Sequence, residues 1–155
     1  MKYVHTNIIS RNWKKLADFY MNVFECIPVP PERKQSGEWL EKGTGLSGAN
    51  LQGIHLRLPG YDHDGPTLEI HQYNPIIEGE LPTVNRTGLR HLAFAVSDVE
   101  KTVEKLLKLG GKALGEITTK ELPGIGKITF IYTTDPEGNI IEIQSWKEPD
   151  QNQSN

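Results

Sequence analysis

The sequence has little cysteine, no long apolar run and no surplus of positive charge. Cys26 is the single cysteine, so an internal disulfide is excluded. The apolar residues, 36% of the chain, come in short clusters, whereas a membrane-spanning helix needs about 20 in succession. Lys and Arg number 17 against 20 Asp and Glu, so we expect no nucleic-acid partner. The opening residues have no apolar signal core, and we expect a cytoplasmic protein with no membrane partner.

An internal repeat runs through the 155 residues, whose number suits a single domain. Residues 3–10 form a strand-like segment, and apolar residues at helical spacing follow it over 12–24. Residues 90–97 are followed by the same pattern, which stops at Gly110 and Gly111. Each half is therefore predicted to open with a strand and a helix.

The two helices have recognisable start signals. Ser10 and Ser97 are the predicted N-caps, because a serine hydroxyl can accept a hydrogen bond from a free N–H of the first turn. Four apolar residues of the second helix are predicted to point inward: Val99, Val103, Leu106 and Leu107.

The ends of the two halves also match. Residues 64–71 and 137–144 each place a glycine four residues before a glutamate in a short apolar run, which is typical of a strand after a turn. Gly53 to Leu58 and Ile128 to Thr133 are further strand candidates. Residues 28–50 are predicted to be a long irregular insertion, which is either a lid or binding loop near a ligand or a tolerated surface loop. The predicted organisation is one domain over 1–146, with module one at 3–73, a linker at 74–88, module two at 89–146 and a polar tail at 147–155.

Strand alternation places two histidines and two glutamates at matching positions. His5 and His91 lie on the opening strands, on the face opposite the one suited to the helix. Glu69 and Glu142 interrupt apolar closing strands, where an ionised carboxylate needs an edge position, solvent or a cation. On a concave, helix-free face the four side chains can converge, and two imidazoles with two carboxylates suit a divalent transition metal.

These residues resemble the vicinal oxygen chelate superfamily, which includes glyoxalase I, extradiol dioxygenases and bleomycin-resistance proteins. The most specific segments are Gly-Leu-Arg-His-Leu-Ala-Phe-Ala-Val-Ser-Asp, residues 88–98, and Asp-Pro-Glu-Gly-Asn-Ile-Ile-Glu-Ile, residues 135–143. The resemblance implies an α+β fold of two βαβββ modules that form a cupped mixed sheet with helices on its convex face. It also implies a homodimer and a four-ligand metal site, made of His5, Glu69, His91 and Glu142.

The resemblance favours a metal-dependent isomerase or lyase of the glyoxalase type that binds a small substrate and Ni, Co, Mn, Zn or Fe. The metal would act as a Lewis acid while a carboxylate removes the proton next to a carbonyl. Glu142 is the preferred base, with Glu69 the alternative. Two other functions remain open: an iron-dependent extradiol-type dioxygenase with three protein ligands, and a metal-free antibiotic-binding resistance protein.

Four further residues are weaker candidates for the substrate pocket: His71, Gln144, Trp39 and Arg57. His71 lies two residues after Glu69 and so on the same face, where a role in the pocket wall is favoured over a role as proton shuttle or extra ligand. His55 is predicted to be structural.

Overall fold

The computed structural model describes residues 1–149, and the chain divides into two compact units, Met1–Gly79 and a second that begins at Glu80. Each unit contains one mixed β-sheet with a helix packed against it, with four strands in the first unit and five in the second. The predicted α+β class is confirmed. The domain and module bounds stay a prediction, and residues 150–155 of the predicted polar tail lie outside the described residues.

The first unit has the predicted strand, helix and three further strands, with an additional short helix after the first of these three strands. Its elements are β1 (His5–Ile9), α1 (Trp13–Phe24), β2 (Ile27–Ser36), α2 (Glu38–Thr44), β3 (Asn50–Arg57) and β4 (Thr67–Tyr73). The strand order in the sheet is β1-β4-β3-β2; β1 runs parallel to β4, and the other neighbours are antiparallel. The opening strand therefore lies beside the closing strand.

Helix α1 begins two residues later than its predicted cap implies. The Asn12 side chain accepts a hydrogen bond from the Lys15 N–H and is the N-cap. Ser10 is not the cap; its hydroxyl accepts from the Asn12 N–H (3.0 Å) and stabilises the turn that enters the helix. Apolar residues at helical spacing form the buried face: Trp13, Leu16, Ala17, Phe19, Tyr20, Val23 and Phe24.

The segment 28–50 is mostly regular, and the prediction of an irregular insertion is wrong. Strand β2 pairs with β3, and α2 follows it with Leu40 packed against Ala49 and Leu51. Strand β2 contains three prolines. They are tolerated because β2 is an edge strand, where one row of backbone donors is not needed for pairing.

The second unit has a similar arrangement, with one additional strand and with a single helix over its described residues. Its elements are β5 (His91–Ala95), α3 (Val99–Lys108), β6 (Lys112–Ala113), β7 (Thr118–Leu122), β8 (Gly126–Thr134) and β9 (Ile140–Lys147). The strand order is β5-β9-β8-β6, with β7 also paired to β8, and β5 runs parallel to β9. Within residues 1–149, no helix has the length and apolar character needed to cross a membrane.

Helix α3 begins one residue later than predicted. Asp98, not Ser97, is the N-cap, and its carboxylate accepts a hydrogen bond from the Lys101 N–H at 2.9 Å. The prediction that Leu107 points inward is also wrong, because it is 47% exposed, whereas Leu106 is fully buried. Adjacent helical residues point about 100° apart, so Leu107 falls outside the buried stripe.

Alternation gives each sheet one face covered by a helix and one face opposite to it. In the first unit, Leu56, Leu68 and Ile70 are fully buried on the strands against which α1 packs. Glu69 and His71 alternate with these residues along β4 and therefore project from the opposite face. In the second unit Glu142 alternates in the same way with the buried Ile141 and Ile143.

Candidate functional site

Glu69 is a buried carboxylate in the interior of the first sheet. It lies on β4, directly opposite Asn7 of β1 on one side and His55 of β3 on the other. Directly opposed residues project to the same face, so the three polar side chains form a row across the sheet. Glu69 is 8% exposed, and an ionised carboxylate at that burial needs donors or a cation beside it.

Three imidazoles surround the Glu69 carboxylate. Nδ1 of His5 is 3.3 Å from Oε1, and Nε2 of His55 is 3.0 Å from the same oxygen. Nδ1 of His71 is 4.0 Å from Oε2. The structure thus brings together His5 and Glu69, both predicted ligands, and adds His71 and His55 to the cluster. One ligand atom from each of His55, Glu69 and His71 lies within 4.8 Å of the other two.

His55 is the residue of this cluster that sequence reasoning missed, since it was predicted to be structural. A signal was present, because Gly53, His55 and Arg57 alternate with Ile54 and Leu56 and so share one strand face. Only the pairing of β3 with β4 places that face beside Glu69.

The His71 ring is held closely between two strands. Its Nδ1 accepts a hydrogen bond from the Asn7 amide at 3.1 Å. On the other side it lies over Gly53, where a Cβ would be 2.7 Å from Cδ2 of the ring. The side chain of His71 is 10% exposed, and Nε2 is buried with no hydrogen-bond partner among residues 1–149. The position therefore holds an imidazole with one unused nitrogen.

Burial lowers the pKa of both His55 and His71 below the ordinary histidine value, although the negative charge of Glu69 acts in the opposite direction. Arg33 also contributes to the lowering at both rings. Both imidazoles are accordingly neutral near pH 7, which is the form that donates a lone pair to a metal ion.

The second unit contains the corresponding histidine and glutamate pair. Nε2 of His91 lies 3.2 Å from Oε2 of Glu142, and the His91 ring packs on Tyr132 with the ring centroids 5.1 Å apart. Ala93 and Tyr132 are the direct register partners of Glu142. In each unit, a histidine of the opening strand therefore lies beside a glutamate of the closing strand.

The three remaining pocket candidates lie in different settings. Arg57 is on the face of β3 that carries His55, opposite Thr67. Gln144 follows Glu142 on the same face of β9, and its Oε1 accepts a hydrogen bond from the Trp146 indole at 2.7 Å. Trp39 lies on α2 and is 62% exposed.

A cavity of about 300 Å³ opens at the end of the first sheet beyond His71. Ile9 and Tyr73 belong to its wall, and strand register places both on the face that carries Glu69. The other wall residues are Leu46, Ser47, Gly48, Ala49, Asn50, Asn74, Pro75, Ile76 and Ile77. The lining is mainly apolar, so the cavity suits a nonpolar group.

The chain belongs to the Glyoxalase/Bleomycin resistance protein/Dioxygenase superfamily, whose family model matches residues 2–143. The resemblance inferred from the sequence is thereby confirmed. A comparison with curated proteins found no match.

Several solved structures share the fold. A glyoxalase family protein from Bacillus cereus is 19% identical, with a TM-score of 0.75 over 94% of this chain and 93% of that chain. A glyoxylase/bleomycin resistance protein/dioxygenase domain from Frankia sp. EAN1pec is 21% identical, with a TM-score of 0.56 over 97% and 93%. The fosfomycin resistance protein FosX from Listeria monocytogenes is 14% identical, with a TM-score of 0.56 over 95% and 93%.

Proposed function

We propose that this protein is a metal-dependent lyase or isomerase of the glyoxalase type, acting on a small substrate with two neighbouring oxygens. The observation that carries the proposal is the buried Glu69 carboxylate with imidazole nitrogens 3.0 and 3.3 Å from one oxygen. Neutral imidazole and carboxylate are a donor combination suited to divalent transition metals.

The proposal assigns the ligand role to His5 and Glu69 in the first unit and to His91 and Glu142 in the second. The residues fit such an ion, because the carboxylates offset its charge and the imidazoles supply lone pairs. Bound Ni, Co, Mn, Zn or Fe would supply Lewis acidity toward the substrate oxygens. That the two pairs share one ion stays a prediction.

Glu142 is the carboxylate that we propose as the base. Glu69 has three imidazoles and the Asn7 amide within 4.0 Å of its carboxylate oxygens, whereas the close contact of Glu142 is with His91 through Oε2. Fewer contacts leave Glu142 more freedom to turn its Oε1 toward a substrate carbon and accept the proton there. Glu69 would stay in place and hold the neighbouring imidazoles.

The substrate is proposed to combine an oxygen-bearing end with a nonpolar group. The oxygen-bearing end, an α-hydroxycarbonyl, hemithioacetal or acyl thioester, would face the glutamates. The apolar cavity beyond His71 would take the nonpolar group, because burial of apolar surface favours binding there. We further propose a homodimer, following the pattern of the superfamily.

The test combines metal content with proton exchange. Wild-type protein and the Glu142→Gln variant are incubated in deuterated water with dihydroxyacetone, with the hemithioacetal of methylglyoxal and glutathione, and with an acyl thioester. Incorporation of deuterium is followed by NMR. We expect the variant to keep its fold and to lose exchange by about 10²- to 10⁴-fold, the usual contribution of a general base. The exposed Glu121 of β7 provides the matched control, Glu121→Gln.

Three results would contradict the proposal. Unchanged exchange in Glu142→Gln would remove Glu142 as the base. Absence of a stoichiometric transition metal, with no uptake on reconstitution, would favour the metal-free binding protein, and oxygen consumption that depends on ferrous iron would favour the dioxygenase.

A further inference from the structure

We propose that the first unit holds a transition-metal ion by itself, through His55, Glu69 and His71. This site differs from the ligand set of the proposed function, with which it shares Glu69, and it needs no residue of the second unit. It goes beyond the proposed function and does not rest on it.

The positions on the sheet already form a chelating arrangement. His55 and Glu69 are direct partners across β3 and β4, and His71 is the next residue on the same face of β4. One ligand atom from each lies within 4.8 Å of the other two. Bonds of about 2.0–2.2 Å bring the ligands of a zinc-like ion to within about 4 Å of each other. Movement of the side chains, with the strand register unchanged, would close the site.

The unused nitrogen of His71 is a second, independent indication of a ligand. Cδ2 of the ring lies over Gly53 of β3, and Nδ1 lies against Asn7 of β1. Nε2 is bonded to Cδ2, so it is on the β3 side of the ring, the side from which His55 projects. It is buried without a partner in the described part of the chain, and a buried polar atom is normally paired.

Asn7 is placed to orient His71 for this role. Metal-bound histidines commonly donate their other ring N–H to an oxygen, which fixes the tautomer. Nδ2 of Asn7 lies 3.1 Å from Nδ1 of His71 and 3.5 Å from both Oε2 and the backbone oxygen of Glu69. With an ion offsetting the Glu69 charge, a half-turn of the Asn7 amide would exchange the two longer contacts for a hydrogen bond from the Nδ1–H of His71 to Oδ1. The lone pair of Nε2 would then be available to an ion.

The second unit shows that these histidines are an addition to the repeated fold. Register places Tyr132 and Gln144 where the first unit has His55 and His71, and Phe130 where it has Gly53. The nitrogen donors and the glycine that admits the His71 ring are therefore absent from the corresponding positions around Glu142.

The donor set also defines the class of ion. Two imidazoles and one carboxylate suit Zn²⁺, Fe²⁺, Co²⁺ or Ni²⁺, whereas Mg²⁺ and Ca²⁺ prefer all-oxygen sites. His5 is not one of the three proposed ligands. Its Nδ1 is 3.3 Å from Glu69 Oε1, but its side chain is 45% exposed and belongs to β1, on the opposite side of β4 from His55.

The test measures Zn²⁺ and Co²⁺ binding to the full chain by calorimetry and by visible absorption of Co²⁺. Loss of a residue that only hydrogen-bonds to a metal ligand weakens metal binding by about 10- to 100-fold. We expect His55→Gln and His71→Gln, which each remove a ligand, to weaken metal binding by more than this. His63→Gln is the matched control, because the His63 side chain is 81% exposed. Circular dichroism establishes that each variant is folded.

A double variant separates this proposal from the proposed function. His91→Gln with Glu142→Gln should leave one ion bound with its affinity unchanged. The first-unit site would be overturned if that double variant lost all bound metal. It would also be overturned if the His55→Gln and His71→Gln variants both bound metal with wild-type affinity. The proposed function fails separately, if the double variant keeps wild-type proton exchange.

A measurement on the wild-type chain avoids the question of folding altogether. Addition of Zn²⁺ should shift the imidazole NMR signals of His55 and His71, and leave that of His63 unchanged. Signals of His55 and His71 that do not move at saturating Zn²⁺ would overturn the proposal.

Discussion

Replacing Gly53 by alanine tests how closely β3 approaches β4 beneath the His71 ring. A Cβ at this position would lie 2.1 Å from the Ile70 carbonyl oxygen and 2.7 Å from Cδ2 of His71. The first distance is 0.9 Å short of the 3.0 Å below which such contacts essentially do not occur. The Ile70 oxygen belongs to the backbone, so the strand itself must move.

We expect Gly53→Ala to lower the free energy of unfolding of the first unit by about 1–3 kcal/mol, the usual cost of overpacking. In a unit of this size each kcal/mol corresponds to about 4–8 °C in melting temperature. Urea unfolding followed by tryptophan fluorescence, to which the buried Trp13 contributes, measures the change. Displacement of the His71 ring should also weaken Zn²⁺ binding.

Gly43→Ala is the matched control for the same chemical change. Gly43 lies in α2, and a Cβ there would meet nothing within 4 Å. Alanine is favoured over glycine inside a helix by about 0.5–1 kcal/mol, so this variant should be slightly more stable than wild type. Wild-type stability of Gly53→Ala, or equal losses in both variants, would refute the reasoning about the strand contact.

Two further predictions concern pH and helix capping. In the metal-free protein, burial lowers the pKa of His55 and His71, so the unfolded chain binds their protons more readily. The two histidines therefore contribute fully to stability above the ordinary histidine pKa of about 6.5, and this contribution is lost as the pH falls toward their pKa values in the folded protein. The urea midpoint of a His55→Gln, His71→Gln double variant should fall less steeply with decreasing pH than that of the wild type. Parallel curves for the two proteins would contradict this prediction. Asp98→Ala should lower the free energy of unfolding in urea by about 0.5–2 kcal/mol, because it removes the acceptor for the Lys101 N–H. Ser97→Ala should change the free energy of unfolding by less than about 0.5 kcal/mol. A larger loss in Ser97→Ala than in Asp98→Ala would identify Ser97 as the cap.

The paired histidines and glutamates illustrate what a repeated pattern can predict. Alternation along a strand depends only on neighbouring residues, so the face that carries Glu69 could be inferred from the apolar residues on either side of it. The internal repeat then predicted that His5 and Glu69, and likewise His91 and Glu142, occupy matching positions in the two halves. The observed distances of 3.3 and 3.2 Å are in keeping with that inference.

The misplaced features have physical causes of their own. Ser10 and Ser97 have the chemistry of a cap, but Asn12 and Asp98 have it too, and the exact entry of the chain into the helix selects between them. The segment 28–50 was predicted to be irregular, yet β2 holds three prolines within a strand because it lies at the edge of the sheet. An edge position depends on the order of strands in the sheet.

The sequence by itself determined the opening strand and helix and the closing strand of each half, the superfamily and the face on which the two glutamates lie, because these depend on local periodicity and on short motifs. Only the tertiary structure decided which residues stand opposite one another across neighbouring strands. Contacts between distant parts of the chain fix that register, and through it His55 lies beside Glu69 while Tyr132 lies beside Glu142.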